Sequence, residues 1–194
     1  MSKHQTDVIN QVFGYSSHRL YAISLASQMF SAAHKRGLMV RIRSALTGSS
    51  HHLLSLEAFT CDVRARHYAG VQTVPVRHIR GSEGRCADFD VDFRPLRTHS
   101  KERWLRIAVA QQAGEVMPPV KLIRIGEIYF VRDGHHRVSV AQALGQKEIE
   151  AEVTVWQIAG PPPWEPQVQS CVLMNQSMGQ VACTRGKTSM VRVV

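Results

Sequence analysis

The sequence contains no apolar run long enough to cross a membrane, because its longest loosely apolar stretch, residues 20–30, is interrupted by Ser24, Ser27 and Gln28. A membrane span needs about 20 apolar residues. The first eleven residues also lack the basic patch and apolar run of a signal peptide. These absences predict a cytoplasmic protein with no membrane partner.

Cysteine is scarce, and its spacing is uninformative for metal binding. The four cysteines are Cys61, Cys86, Cys171 and Cys183, and no two form a C-x-x-C pair. This spacing argues against a zinc knuckle, and a chain of this length gives little reason to expect a disulfide framework. All four are predicted to be free thiols.

Acidic residues are too few to balance the basic ones. Lysine and arginine number 24 against 15 acids, which gives a formal charge of +9, a balance that attracts polyanions without identifying one. Charged residues make up 20% of the 194 residues and hydrophobic ones 44%, so a mostly folded chain with one main domain is expected.

Three regions are predicted along the chain. Residues 1–71 are expected to be helical, with helices over 20–36, 38–46 and 53–65, the first ending at Gly37. Residues 72–157 are expected to form the main domain. Residues 158–194 begin with a Pro-rich segment, lack a clear period and are expected to be disordered. The arginines of the first region either form a basic face for nucleic acid or keep the helices soluble; they are Arg19, Arg36, Arg41, Arg43, Arg64 and Arg66.

The middle region alternates between strand and helix patterns. Residues 73–78 have a strand period, which Pro75 would confine to a sheet edge. Asp88, Asp90 and Asp92 would share one side if their segment is extended. Ser100 is a candidate N-cap for a helix that ends before Gly114. Further on, the pattern predicts a hairpin over 120–125 and 128–132, a helix over 135–144 and a strand over 148–156.

The most informative segment joins the end of a strand to a helix through Asp133-Gly134-His135-His136-Arg137. Free N–H groups at a helix start favour anions, glycine lets the backbone approach closely, and arginine offers two parallel donors to a phosphate. The histidines could add hydrogen bonds or, near neutral pH, partial charge. Alternatively, Asp133 only caps the helix and the basic side chains are solvated.

Residues 74–156 resemble the ParB/sulfiredoxin superfamily as a stand-alone member. The resemblance is carried by Arg94-Pro95-Leu96, Met117-Pro118-Pro119-Val120, Tyr129-Phe130, the segment 133–137, and Gly145 before the last strand. It implies an α+β fold: a ParB/sulfiredoxin-like small mixed sheet with flanking helices, here preceded by the helical N-terminal region. It also implies nucleotide-phosphate binding at residues 133–137, with Lys101 as a further nucleotide contact.

Two activities of that superfamily are not expected here. Sulfiredoxins depend on a cysteine at the position of His135, so sulfiredoxin activity is not predicted. ParB partition proteins continue into a helix-turn-helix domain, whereas only about 38 residues follow Trp156. The resemblance therefore leaves a stand-alone module that binds a nucleotide or DNA.

The leading hypothesis is a DNA-associated or nucleotide-regulated module that binds phosphate at residues 133–137. A homodimer is the candidate assembly. The alternative is a Mg²⁺-dependent phosphotransferase or nuclease acting on a nucleoside di- or triphosphate or on DNA. In that case Asp88, Asp90 and Asp133 would hold Mg²⁺, the first two would be catalytic, and His135 or His136 would perform acid–base work. The aspartates could equally be a solvated strand edge. In either hypothesis Arg137→Ala is expected to weaken phosphate binding without unfolding the domain.

Overall fold

The computed structural model describes residues 3–48, 52–58, 63–160, 162 and 164, with side chains of the first helix described from residue 18. The chain divides into two compact units, 1–160 and 161–194. Cys61, Cys171 and Cys183 lie outside the described residues. Of the predicted tail, 158–194, residues 158–160 belong to the first unit, and only residues 162 and 164 of the second unit are described. Cys86 is a free thiol, as predicted.

A mixed six-stranded sheet and three helices build the first unit, which confirms the predicted α+β class. The helices are α1 (Lys3–Thr47), α2 (Lys101–Gln112) and α3 (His135–Ala143). The strands are β1 (Leu54–Ser55), β2 (Val63–Pro75), β3 (Ile79–Ser82), β4 (Val120–Ile125), β5 (Ile128–Asp133) and β6 (Glu148–Ile158). No helix in the described part of the chain has both the length and the apolar character of a membrane span.

The strand order across the sheet is β1-β3-β5-β4-β6-β2. Strands β4 and β5 form the predicted antiparallel hairpin, while β3–β5, β4–β6 and β1–β3 are parallel pairs. Strand β2 pairs antiparallel with β6 at the sheet edge, where Pro75 was expected. The strand ends at Pro75, however, because residues 76–78 form a short 3-10 turn.

Among the described residues, the predicted helical region, 1–71, is α-helical only as far as Thr47, and its predicted subdivision is wrong. One continuous helix replaces the first two predicted helices, and Gly37 lies within it. A Cβ added at Gly37 would lie 3.1 Å from Leu96 Cδ2, so this glycine permits close packing and does not end the helix. The third predicted helix, 53–65, is contradicted by β1 and by the start of β2, although residues 59–62 lie outside the described part.

Two apolar clusters hold the first unit together. One lies on a sheet face and includes Val120, Leu122, Val131, Val138 and Val153. The other joins α1 to α2 and α3 through Ala26, Phe30, Trp104, Ala108 and Val140. The clusters hold α2 and the start of α3 in position relative to the end of β5. The candidate site lies at this end of β5.

Candidate phosphate-binding site

Helix α3 begins at a glycine that no other residue could replace without strain. Gly134 is the N-cap residue with φ 97°, in the left-handed region. An added Cβ would lie 2.6 Å from Val120 Cγ1 and 3.0 Å from Arg137 Nη2. The predicted strand, glycine turn and helix are therefore confirmed, but the cap is Gly134, not Asp133.

The first turn of α3 keeps its N–H groups available. Val138 is the first residue whose N–H reaches back, donating to the Gly134 carbonyl at 3.0 Å. No side chain caps the helix, so the N–H groups of His135, His136 and Arg137 have no partner within the helix or from its cap. Together with the helix dipole, these donors favour a bound anion.

Arg137 is held by the protein itself. Its side chain is 15% exposed, and Nη2 donates to Asp133 Oδ2 at 2.8 Å. Nη1 donates to the carbonyl oxygens of Pro118 and Pro119. These bonds tie the start of α3 to the segment before β4, so the main task of this guanidinium is to hold the turn in shape.

His135 is buried between two neighbours. It is 6% exposed, its Nε2 lies 2.8 Å from Ser82 Oγ, and its ring stacks on Phe89 with centroids 6.2 Å apart. Ser82 Oγ also accepts a 3.2 Å bond from the Arg85 N–H. Burial, followed by the charge of Arg85, lowers the pKa of His135 to about 4, so the imidazole is neutral at pH 7.

His136 has an unsatisfied polar atom. It is 5% exposed, packs edge-on against Phe89 and carries a buried Nδ1 with no hydrogen-bond partner among the described residues. Burial and the nearby charges of Arg103 and Arg85 lower its pKa to about 4. The expectation that the histidines carry partial charge near neutral pH is therefore wrong, because both rings are desolvated beside arginines.

A cleft of about 170 Å³ opens in front of this helix start. Ile107 and nine polar or glycine residues line it: Glu83, Arg85, Arg103, Arg132, Asp133, Gly134, His135, His136 and Arg137. Four arginines against two acids give the lining a formal charge of +2 when both histidines are neutral. The cleft is therefore electropositive as well as rich in hydrogen-bond donors.

Three of these arginines were not selected from the sequence. Arg132 pairs with Glu83 at 3.2 Å, and Arg85 lies 3.9 Å from Asp88. Arg103 makes no hydrogen bond or ion pair with the part of the chain that the structure describes. Its only sequence signal is its i,i+4 spacing with Ile107 on α2, which places both side chains on one helix face. The sheet then brings that face to α3.

The three alternating aspartates do not lie on a strand. Residues 91–92 form a turn and Phe93 has φ 54°. Asp90 is buried and accepts hydrogen bonds from the Asp92 and Arg94 N–H groups at 3.1 and 2.8 Å. Its Oδ2 pairs with Arg94 Nη1 at 3.2 Å, so the carboxylate stabilises this turn, and desolvation raises its pKa.

The remaining predicted site residues are dispersed. Asp88 pairs with Arg97 at 3.3 Å, and Asp133 with Arg137. In the regions that the structure describes, no three His, Cys, Asp or Glu side chains are grouped to hold a metal ion. Lys101 is not in the cleft lining; its Nζ lies 5.9 Å from the centroid of the Phe30 ring.

Comparison with known proteins assigns the chain to no family. No family model and no curated protein matches the chain. Among solved structures it is similar to sulfiredoxin from Arabidopsis thaliana, with 19% identity and a TM-score of 0.32, over 43% of this chain and 82% of that one. Membership of the ParB/sulfiredoxin superfamily stays a prediction, and function is inferred from the geometry of the cleft.

Proposed function

We propose that the chain binds a phosphate group of a nucleotide or nucleic acid in the cleft at the start of α3. The observation that carries this proposal is the meeting of the free N–H groups of α3 with Arg85, Arg103 and Arg132 around one small cavity. Backbone N–H groups at a helix start and arginine forks are the donors that phosphate oxygens prefer.

Arg103 is the side chain best placed to pair with the phosphate. It lines the cleft without an ion-pair partner among the described residues, whereas Arg132 and Arg137 are already paired with Glu83 and Asp133. His135 and His136 act as neutral groups: His135 Nε2 is bonded to Ser82 Oγ, whereas His136 Nδ1 has no partner among the described residues. Arg137 and Gly134 hold the shape of the site.

A binding module fits this arrangement better than a catalytic one. The described residues do not fit a Mg²⁺ site built by the protein, because Asp88 and Asp90 do not line the cleft and are paired with arginines. Any Mg²⁺ would be held mainly by the phosphates of a bound nucleotide, as is usual for this ion. We therefore propose a DNA-associated or nucleotide-regulated module.

The test is a thermal-shift panel of inorganic phosphate, ADP, CTP and a short DNA duplex, with and without Mg²⁺. A ligand at 100 times its Kd stabilises the folded state by about 2.7 kcal/mol. We expect at least one of these phosphates to raise Tm, and Arg103→Gln to reduce the shift strongly. Arg77→Gln, which removes the same charge from an exposed position on the 3-10 turn before β3, is the matched control.

Two results would overturn the proposal. The first is the absence of a shift with every phosphate compound. The second is a shift that Arg103→Gln and Arg77→Gln reduce equally, since that would show only non-specific attraction to a basic protein. Hydrolysis of the nucleotide or nicking of the DNA in the Mg²⁺ samples would instead favour the phosphotransferase or nuclease.

A further inference from the structure

The cleft is too small to enclose a nucleotide. Its volume is about 170 Å³. Pockets that enclose a small organic ligand usually measure about 300–1,000 Å³. If a phosphate group occupies the cleft, the rest of its molecule must lie on the surface outside.

The surface beside the cleft continues the positive charge. On α2, Arg106 follows Arg103 at i+3, so the two side chains are neighbours on one helix face. Arg106 is exposed and has no ion-pair partner in the described regions. A ligand leaving the cleft along α2 therefore meets further positive charge.

Phe89 and Trp104 offer no face on which a base could stack. They are 1% and 0% exposed. Phe89 packs on both histidines, and Trp104 Nε1 donates to Ser139 Oγ at 3.0 Å. These two rings therefore cannot supply the stacking that often binds single bases, and the feature of the surface that favours a ligand is its charge.

From these observations we infer that the ligand is a nucleic-acid strand whose terminal phosphate enters the cleft while its following phosphates lie along the Arg103–Arg106 face of α2. This inference rests on the proposed function and specifies its ligand. A terminal phosphate presents three free oxygens to the helix start. A nucleoside monophosphate has no second phosphate to place beside Arg106.

The test measures fluorescence anisotropy with a labelled 12-nucleotide strand carrying a 5′-phosphate, a 3′-phosphate or hydroxyl at both ends. DNA and RNA versions separate the two sources of the same chemistry, and AMP, ADP and inorganic phosphate are used as competitors. We expect one terminally phosphorylated strand to bind at least tenfold more tightly than both the hydroxyl strand and AMP. Its affinity should fall steeply with salt, because neutralised phosphates release counterions.

Variants separate the cleft from the face. Arg106→Gln is expected to weaken the phosphorylated strand several-fold while changing the competition by inorganic phosphate far less. Arg103→Gln should weaken both, and Arg77→Gln neither. Equal weakening of the strand by Arg106→Gln and Arg77→Gln would contradict the path along α2.

The outcomes distinguish this inference from the function on which it rests. If ADP or AMP binds as tightly as the phosphorylated strand, the inference is wrong and phosphate binding in the cleft stands. The same holds if the hydroxyl strand binds equally well and inorganic phosphate still binds through Arg103. If neither phosphate nor any strand binds, the inference and the proposed function fail together.

Discussion

The Arg137 guanidinium donates a 2.8 Å hydrogen bond to the Asp133 carboxylate, so the arginine of the glycine turn is first of all a structural clamp. Its other donors reach the Pro118 and Pro119 carbonyls, which joins α3 to the start of the hairpin. The charge available to a ligand comes instead from Arg103, on a different element. Substitutions of Arg137 and Arg103 should therefore differ in their effect on stability.

Replacing Arg137 by Ala should cost stability as well as any binding. Several hydrogen bonds to a mostly buried guanidinium are lost, and the expected loss is about 1–3 kcal/mol of unfolding free energy. Arg103→Gln, which breaks no bond within the described structure, should change that free energy by less than about 0.5 kcal/mol. Urea denaturation of both variants measures this. An unchanged midpoint for Arg137→Ala would show that the clamp is unimportant.

Stability should fall as the pH is lowered from 6.5 to 4. Burial lowers the pKa of His135 and His136 to about 4 from 6.5. The unfolded chain therefore binds more protons than the folded one in this window, and protons favour unfolding. At the low-pH limit, protonation of each histidine lowers the free energy of unfolding by about 3 kcal/mol. Urea denaturation at pH 7.5, 5.5 and 4.5 should show the loss, and His135→Gln and His136→Gln should each make it shallower. If neither substitution changes the loss of stability at low pH, the two buried histidines are not its source.

Gly134→Ala should be more damaging than the same change at Gly145. Both glycines have positive φ, 97° and 70°, but only at Gly134 would the new Cβ meet atoms, with Val120 Cγ1 at 2.6 Å. The left-handed backbone costs about 1–2 kcal/mol at each position, and overpacking adds about 1–3 kcal/mol at Gly134. Denaturation midpoints compare the variants directly. Equal losses of stability in the two variants would show that Val120 moves aside without a cost in free energy.

Phe30 should be a principal anchor of α1. It is 2% exposed, and its ring meets Trp104 edge-on with centroids 5.5 Å apart. Phe30→Ala should lower the unfolding free energy by about 3–5 kcal/mol. Met39→Ala, at a position on the same helix that is 68% exposed, should have almost no effect. A mild effect of Phe30→Ala in the same denaturation assay would mean that α1 contributes little to the fold.

Local patterns predicted the elements around the site. Alternation in Ile149, Ala151 and Val153 gave β6, and the glycine turn after Asp133 gave the start of α3, because both signals depend on neighbours in sequence. Errors occurred where packing overrides a local signal. Gly37 was predicted to end a helix, but it lies within α1 and packs closely against Leu96. The aspartates 88–92 were predicted to lie on a strand, but Asp90 bonds to Arg94 within a turn.

The sequence by itself determined the class of the fold, the strand–glycine–helix element and the positive charge of the chain. Only the tertiary structure decided which groups share the cleft, because Arg85, Arg103 and Arg132 lie on separate elements and approach α3 through the packing of sheet and helices. The tertiary structure also decided that the two histidines are neutral, since desolvation depends on burial against Phe89. It assigned Arg137 to the Pro118 and Pro119 carbonyls, a contact set by the path of the chain into β4.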